Sequence, residues 1–224
     1  MDIHPRHSWQ VTPQEAIALQ HQLAKELTDY PPLDLSKIKL VAGVDVSVKD
    51  NVSQAAIVVL KYPELTQIEI VRHQVPTPFP YIPGLLTFRE GPVLEDAFRQ
   101  LQNVPDVFIF DGMGRIHPRR MGIAAHMGLW IDKPTIGCGK TYFIGDLVEP
   151  PLERGTYAPL MHHGELIGVT LRTRAKVKPV FISVGNGCDL NSAVDLVMHC
   201  TTTYRLPEPI RLAHQGSQIV PPTA

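Results

Sequence analysis

The sequence predicts a mixed α/β fold, in which an antiparallel three-stranded meander is extended by parallel strands and flanked by helices. Three β-rich runs lie early in the chain, at 39–48, 55–61 and 67–75. The links between them are only a few residues long, and links of that length join antiparallel neighbours. From Val107 onwards, short apolar runs alternate with helix-like segments, a pattern typical of parallel strands with helices between them.

The first predicted element is a helix that begins after Thr12. Thr12 can cap this helix, Pro13 suits its first turn, and Glu15 completes a capping box. Apolar residues at helical spacing continue to Leu27, and the prolines at 31–32 end the pattern. The meander follows, with residues that favour tight turns at 49–51 and 62–64.

The second half of the chain supplies the remaining elements. The run 107–110 is continuously apolar, as expected of a central strand covered on both faces. The other predicted elements are a helix at 122–131, strands near 135–137, 166–171 and 180–184, a helix at 190–200 capped by Asp189, and a short helix from Glu208 that carries His214. Neither a repeat nor a linker divides the sequence, so we expect one domain over 1–224 with a flexible tail at 220–224.

Composition narrows the class of protein without indicating its function. With 224 residues and 44% of them hydrophobic, the chain can bury a core, which excludes disorder. The net charge of -1 means that a nucleic-acid surface must be a local basic patch. Cys138, Cys188 and Cys200 form no paired motif, which indicates buried thiols in a reducing compartment. The sequence has neither a secretion signal nor a membrane-length apolar run, so we expect a cytoplasmic protein with no membrane partner.

Two acidic residues lie at positions where burying a charged carboxylate would cost free energy. Asp45 is in the middle of the apolar run 41–48, and Asp111 directly follows the run 107–110 and precedes a glycine. Each alone equally fits a structural role, as a strand or turn aspartate whose charge is satisfied locally. Together, acids on neighbouring buried strands would repel each other unless a divalent cation lies between them. Oxygen ligands favour Mg²⁺ or Mn²⁺.

Three further residues could complete such a site. Glu90 and His214 are candidates for a third and a fourth group, although lone residues of these types are more often surface charges or satisfied side chains. Lys140 follows Gly139 in a segment that resembles the end of a phosphate-binding loop, but that motif requires glycine where Pro134 stands. A nucleotide-binding loop is therefore excluded. Lys140 stays a candidate cation for a phosphate or for transition-state charge.

Basic residues cluster at Arg115, Arg119 and Arg120, and again between 172 and 178. Most such clusters are solvated loops. The first cluster, however, lies just after Asp111, where a phosphate beside a metal ion would need cationic partners.

Three segments taken in order resemble one family. They are PYIPGLLTFRE at 80–90, DGMGRIHPRR at 111–120, and YRLPEP with RLAH between 204 and 214. With VAGVDVSV at 41–48 and the Gly139-Lys140 pair, they are similar to the endonuclease V pattern over nearly the full length of the chain.

The resemblance implies a ribonuclease H-like fold and a Mg²⁺-dependent nuclease, with Mn²⁺ as a substitute ion. It implies a cut at the second phosphodiester bond 3′ to deoxyinosine in DNA, leaving 3′-hydroxyl and 5′-phosphate ends. Asp45 and Asp111 would be metal ligands, Glu90 and His214 would complete the site directly or through water, and Lys140 would contact the scissile region.

The resemblance also implies a lesion-binding segment. The prolines and Tyr81 at 80–83 would form a wedge that fills the gap left by a displaced base, since extruding a base costs a few kcal/mol of stacking. Gly84, Gly112 and Gly122 would let backbone atoms approach hypoxanthine closely. The full implied set is Pro80, Tyr81, Ile82, Pro83, Gly84, Leu86, Gly112, His117, Arg119, Gly122 and Ile123.

One departure from the family pattern and two alternatives stay open. The segment SVGNGC at 183–188 stands where family members usually place a proline, a histidine and a basic residue, which could weaken phosphate contacts. The alternatives are an endonuclease that prefers inosine in RNA and a non-catalytic lesion-binding protein. We expect the protein to act as a monomer.

Overall fold

The computed structural model describes residues 1–28 and 30–219. Within these ranges the helices are α1 (Pro13–Leu23), α2 (Leu86–Gln100), α3 (Ile123–Ile131), α4 (Leu190–His199) and α5 (Glu208–Ser217). The strands are β1 (Leu40–Lys49), β2 (Val52–Lys61), β3 (Gln67–Pro76), β4 (Val107–Phe110), β5 (Thr135–Gly139), β6 (Tyr157–His162), β7 (Glu165–Leu171) and β8 (Val180–Asn186). The expected tail at 220–224 lies outside the described residues.

The strands form one sheet in the order β3-β2-β1-β4-β5-β8-β7-β6. The meander β1-β2-β3 is antiparallel, and β4 pairs in parallel with both β1 and β5. The predicted mixed α/β class is therefore confirmed. The turn between β1 and β2 has positive φ at both Asp50 and Asn51, the geometry of a hairpin turn whose twist matches that of its strands.

Helices cover both faces of the sheet. Alternate residues of β4 point to opposite faces: Phe108 and Phe110 pack with α2 and α3, whereas Val107 and Ile109 pack with α4 and α5. This double burial explains the continuous apolar run read from the sequence. All three cysteines are buried and free, as expected. None of the helices in the described ranges is long and apolar enough to span a bilayer.

Two elements were absent from the prediction, and the N-terminal helix is shorter than its apolar pattern. Helix α2 contains Gly91 and Pro92, two residues that disfavour a helix interior, although its buried residues recur at helical spacing. Strand β6 contains Pro159, which a sheet tolerates because β6 lies at its edge. Helix α1 begins at the predicted capping box but ends at Leu23, where a short 3₁₀ turn replaces it.

Close packing of α5 on the sheet depends on Gly43 of β1. A Cβ atom at this position would lie 1.9 Å from the carbonyl oxygen of Pro209 in α5. Only glycine therefore lets the α5 backbone rest directly on β1. This contact fixes the helix that carries His214 over the end of the sheet.

Candidate metal centre and adjoining cavity

The parallel pairing of β1 and β4 brings the two aspartates together. Val44 is the register partner of Phe110, so Asp45 and Asp111 are the next residues along their strands. The backbone N–H of Asp111 donates to the carbonyl of Val44 at 2.8 Å, which continues the ladder past the end of β4. Both carboxylates are largely buried, with Asp45 only 8% exposed. The sheet thus places two acids side by side in an environment of low polarity.

His214 and Ser217 approach Asp45 from α5. His214 Nδ1 lies 3.2 Å from Asp45 Oδ2, and ligand atoms of Asp45, Asp111 and His214 all lie within 4.8 Å of one another. Ser217, one helical turn after His214, donates its hydroxyl to the same carboxylate oxygen. Ser217 was not among the site residues predicted from the sequence. Its i,i+3 spacing from His214 was the available signal.

Glu90 reaches the same region from α2. Burial, together with the negative charges of Asp45 and Asp111, raises the pKa of Glu90 well above its ordinary value. Glu90 is not one of the three residues whose ligand atoms cluster. The indole of Trp9 lies directly on the neighbouring Gly91, where a Cβ would meet the ring at 2.3 Å. The N-terminal segment thereby helps to fix the turn of α2 that carries Glu90.

Lys140 follows β5 and supplies the positive charge of the cluster. Its ammonium forms an ion pair with Asp111, and its Nζ lies 3.2 Å from His214 Nδ1. Burial raises the pKa of Asp111 to about 7, with a further contribution from the charge of Asp45, and the hydrogen bond from Lys140 opposes this rise. One lysine therefore only partly offsets the charge of the acids. Oxygen ligands with uncompensated charge fit a hard divalent cation.

The raised pKa predicts a pH-dependent stability of the metal-free protein. In the folded state Asp111 holds its proton up to about pH 7, whereas its ordinary pKa is 3.8. Asp111 therefore costs stability increasingly as the pH rises through this window, and the full cost persists above it. We expect Asp111→Asn to raise the Tm in EDTA by a margin that is absent below the ordinary pKa and constant above pH 7.

Thermal unfolding of both proteins across this range measures that margin. Since His117 and His126 titrate in both proteins, the difference between the two Tm values reports Asp111 together with Glu90, whose pKa the charge of Asp111 helps to raise. A margin that stays the same at every pH would contradict the raised pKa.

A cavity of about 390 Å³ adjoins the acidic cluster. Of the residues predicted to bind a lesion, nine line it: Tyr81, Ile82, Pro83, Gly84, Leu86, Gly112, His117, Gly122 and Ile123. Asp111 and Lys140 also line it, which joins the cavity to the charged cluster. The lining residues that the sequence analysis missed are Thr87, Met113, Met121, Gly139, Thr141, Tyr142 and Phe143. Pro80 and Arg119 do not line it.

Tyr81 stands at the mouth of the cavity, with 69% of its surface exposed. The segment that carries it is held at both ends. Arg89 Nη1 donates to the carbonyl of Phe79 at 3.1 Å, and Arg119 Nη2 donates to the carbonyl of Gly84 at 2.8 Å. The structure therefore directs Arg119 onto the backbone of this segment. Tyr81 therefore lies between two backbone positions, Phe79 and Gly84, that hydrogen bonds hold in place.

His117 supports the same segment from beneath. Its Nε2 lies 2.9 Å from the Gly84 carbonyl, and its Nδ1 accepts from the backbone N–H groups of Arg119 and Met121 at 3.2 and 3.3 Å. Two backbone donors at Nδ1 place the imidazole proton on Nε2. Burial lowers the pKa of His117 to about 4, so the ring is neutral at physiological pH.

The glycines of the 111–122 loop are required by internal packing. A Cβ at Gly112 would lie 2.7 Å from Ile123 Cγ2, and one at Gly122 would lie 2.3 Å from the carbonyl oxygen of Met113. The loop therefore folds tightly on itself while both glycines face the cavity.

The atypical segment 183–188 supports this loop. Residues 183–186 are buried in β8, where Ser183 Oγ accepts from the backbone N–H of Gly114 at 2.9 Å. Asn186 Nδ2 donates to the carbonyl of Gly128 at 3.2 Å. These contacts face the protein interior, and they hold the 111–122 loop and α3 against the sheet.

Comparison with known proteins identifies close relatives. The sequence model described as Endonuclease V matches residues 21–215. Endonuclease V of Dehalococcoides mccartyi is 47% identical over 210 residues, which cover 93% of this chain and 93% of the relative.

Two solved structures are also similar. The Bacillus subtilis endonuclease V has a TM-score of 0.92 and 34% identity, covering 97% of this chain and 95% of that chain. A Ciona intestinalis endonuclease V, in complex with a 24mer DNA containing an inosine followed by a ribo-adenosine, has a TM-score of 0.80 and 29% identity, covering 91% and 95%. This likeness confirms the ribonuclease H-like mixed sheet expected from the sequence.

Proposed function

The chain belongs to the endonuclease V family and is a nuclease, and on this premise we propose its substrate and its metal. It recognises deoxyinosine in DNA and hydrolyses the second phosphodiester bond on the 3′ side, leaving 3′-hydroxyl and 5′-phosphate ends. The reaction depends on Mg²⁺, for which Mn²⁺ substitutes. One observation carries the proposal: the acidic cluster adjoins a cavity of about 390 Å³, and an exposed aromatic ring lies at the mouth of that cavity.

Asp45 and Asp111 are the residues proposed to hold the divalent ion, with His214 and Glu90 completing the site directly or through water. The donor set fits such an ion, because carboxylate oxygens predominate and their charge is only partly offset by Lys140. When bound, the ion supplies Lewis acidity at the phosphate and lowers the pKa of water.

Lys140 and Ser217 have separate parts in the proposed reaction. The ammonium of Lys140 lies beside Asp111 at the cavity wall, where it can bind a phosphate oxygen of the strand and offset charge that develops in the transition state. The hydroxyl of Ser217 donates to Asp45 and so fixes the direction in which that carboxylate presents its other oxygen. The first residue binds substrate, and the second orients a ligand.

The cavity is proposed to receive the extruded hypoxanthine. An enzyme that reads a base edge must remove the base from the stack, and an apolar or aromatic wedge fills the gap that is left. The exposed Tyr81 at the cavity mouth fits this use. The DNA in the Ciona intestinalis complex contains inosine, which supports the same lesion for this chain.

Tyr81→Ala is expected to weaken recognition of the lesion more than it slows the cut. Loss of one base–aromatic stack costs about 1–3 kcal/mol, so KM should rise by between about fivefold and about 150-fold. Saturating single-turnover rates should change by less than about threefold, since Tyr81 is remote from the reacting atoms in the proposal. Tyr157, 52% exposed on the edge strand, gives the matched control Tyr157→Ala. Equal loss of kcat and of kcat/KM in Tyr81→Ala would contradict a wedge.

A labelled duplex with one deoxyinosine tests the proposal. With Mg²⁺ we expect one nick at the second phosphodiester bond on the 3′ side, none with EDTA, and much slower cutting of the matched adenine duplex. A nick at another bond would overturn the assigned position. Cutting in EDTA would overturn the metal dependence.

A second candidate substrate is inosine in RNA. It is favoured by the ribo-adenosine that follows inosine in the Ciona intestinalis complex. Matched DNA and RNA oligonucleotides distinguish the two substrates. RNA cut as fast as DNA, or faster, would replace the DNA proposal.

A further inference from the structure

Gln20 of α1 joins two walls of the cavity without lining it. Its Nε2 donates to the carbonyl of Gly84 at 3.0 Å and to the carbonyl of Met121 at 3.3 Å. Its Oε1 accepts from Arg119 Nε at 2.6 Å. Gly84 and Met121 line the cavity from segments that are remote from each other in sequence. One fully buried amide therefore connects both segments with α1.

The Gly84 carbonyl is held by three donors at once. They are Gln20 Nε2 at 3.0 Å, His117 Nε2 at 2.9 Å and Arg119 Nη2 at 2.8 Å. Gly84 itself has φ of +80°, a left-handed conformation that glycine adopts without strain. Three donors on one oxygen fix the orientation of this peptide plane. That plane ends the segment that presents Tyr81.

If the only requirement at position 20 were to fill space, an apolar side chain would pack there as well as Gln20 does. Burying an amide costs free energy unless its donors and acceptor are satisfied, and here both hydrogens and the oxygen have partners. Those partners all belong to the two cavity walls or to the arginine that supports them. The polar group therefore specifies a geometry in addition to filling space.

We propose that Gln20 is a positioning residue that sets the spacing of the Gly84 and Met121 walls and thereby the selectivity of the cavity for the extruded base. The inference rests on the function proposed above. Gln20 touches no substrate; it acts through Gly84, Met121 and Arg119.

Gln20→Leu tests this role through substrate selectivity. The ratio of kcat/KM for the deoxyinosine duplex to that for the matched adenine duplex should fall by about tenfold, the effect of losing buried hydrogen bonds. A merely structural role would lower the active fraction and leave this ratio unchanged, because both substrates meet the same folded molecules. Gln22→Leu is the matched control, since Gln22 is exposed on the same helix. It should leave the ratio at the wild-type value.

A second variant separates the contacts. The carboxylate of Gln20→Glu still accepts from Arg119 but cannot donate to Gly84 and Met121. It should lower the ratio as Gln20→Leu does. Should Gln20→Leu fail to fold, Gln20→Glu alone decides: a wild-type ratio in this variant would overturn the proposal.

Amide hydrogen exchange in the free protein provides a readout that needs no substrate. Residues 82–88 should exchange at least several-fold faster in both variants than in wild type, because the Gly84 peptide loses a donor. Unchanged exchange would show that Gln20 does not hold the Gly84 peptide in place. Faster exchange with an unchanged kcat/KM ratio would show that this contact does not set selectivity. A wild-type protein that does not prefer deoxyinosine would refute the proposed function, while the exchange data would still test whether Gln20 holds the Gly84 peptide.

Discussion

Asp111→Asn is expected to lower the single-turnover rate of cleavage by at least about a thousandfold. The substitution keeps the shape of the side chain but removes the charge that a divalent ion requires, and such an ion contributes several kcal/mol, with each ~1.4 kcal/mol worth a factor of ten. The same change relieves the repulsion with Asp45 that helps to raise the pKa of Asp111. Activity should therefore disappear while the metal-free fold becomes more stable.

Opposite effects on activity and stability distinguish this result from misfolding. Asp132→Asn is the matched control, because Asp132 is exposed after α3 and asparagine tolerates its left-handed backbone. The control should retain wild-type cleavage and Tm. An Asp111→Asn protein that cuts at more than about a tenth of the wild-type rate would remove Asp111 from the metal site.

Gly43→Ala is expected to lower both stability and activity, although Gly43 lies outside the cavity. A Cβ here would meet backbone atoms of Pro209, the oxygen at 1.9 Å and the carbon at 2.2 Å, so α5 must move. Overpacking of this kind costs about 1–3 kcal/mol of unfolding free energy. The shift displaces His214 and Ser217 from Asp45, and misplacement by about 1 Å can cost about a hundredfold in rate.

Gly164→Ala provides the comparison for this variant. Gly164 has φ of +79° in the turn between β6 and β7, and a Cβ added there would meet no atom within 4 Å. Alanine there should cost about 1–2 kcal/mol through backbone strain alone, with no change in the rate of cleavage. If Gly43→Ala lost stability to the same degree as Gly164→Ala and cut at the wild-type rate, the positioning of the site by α5 would be refuted.

The sequence contained enough information for most of the sheet and for the acidic pair. A continuous apolar run identified β4, and three β-rich runs with short links identified the meander. Burying a carboxylate costs free energy, and one lies in the middle of a buried strand while another lies at the end of a neighbouring strand. Their cost is what made Asp45 and Asp111 visible before their register was known.

Other parts of the site leave no local trace. Gln20 stands in an amphipathic helix, where a glutamine is ordinarily a surface residue, and its partners are 64 to 101 positions away. Ser217 and Met121 acquire their contacts only when α5 and the 111–122 loop pack against the sheet. Tertiary contacts between distant segments are not encoded in periodicity, which records only the face that an element buries.

The proposed nuclease activity depends most on a divalent ion held between Asp45 and Asp111. Anomalous diffraction from crystals soaked with Mn²⁺ measures this directly. We predict one strong peak within about 2–2.5 Å of oxygen atoms from both carboxylates. An Mn²⁺ peak at another position, or full nuclease activity in protein whose aspartates bind no ion at all, would contradict this metal site.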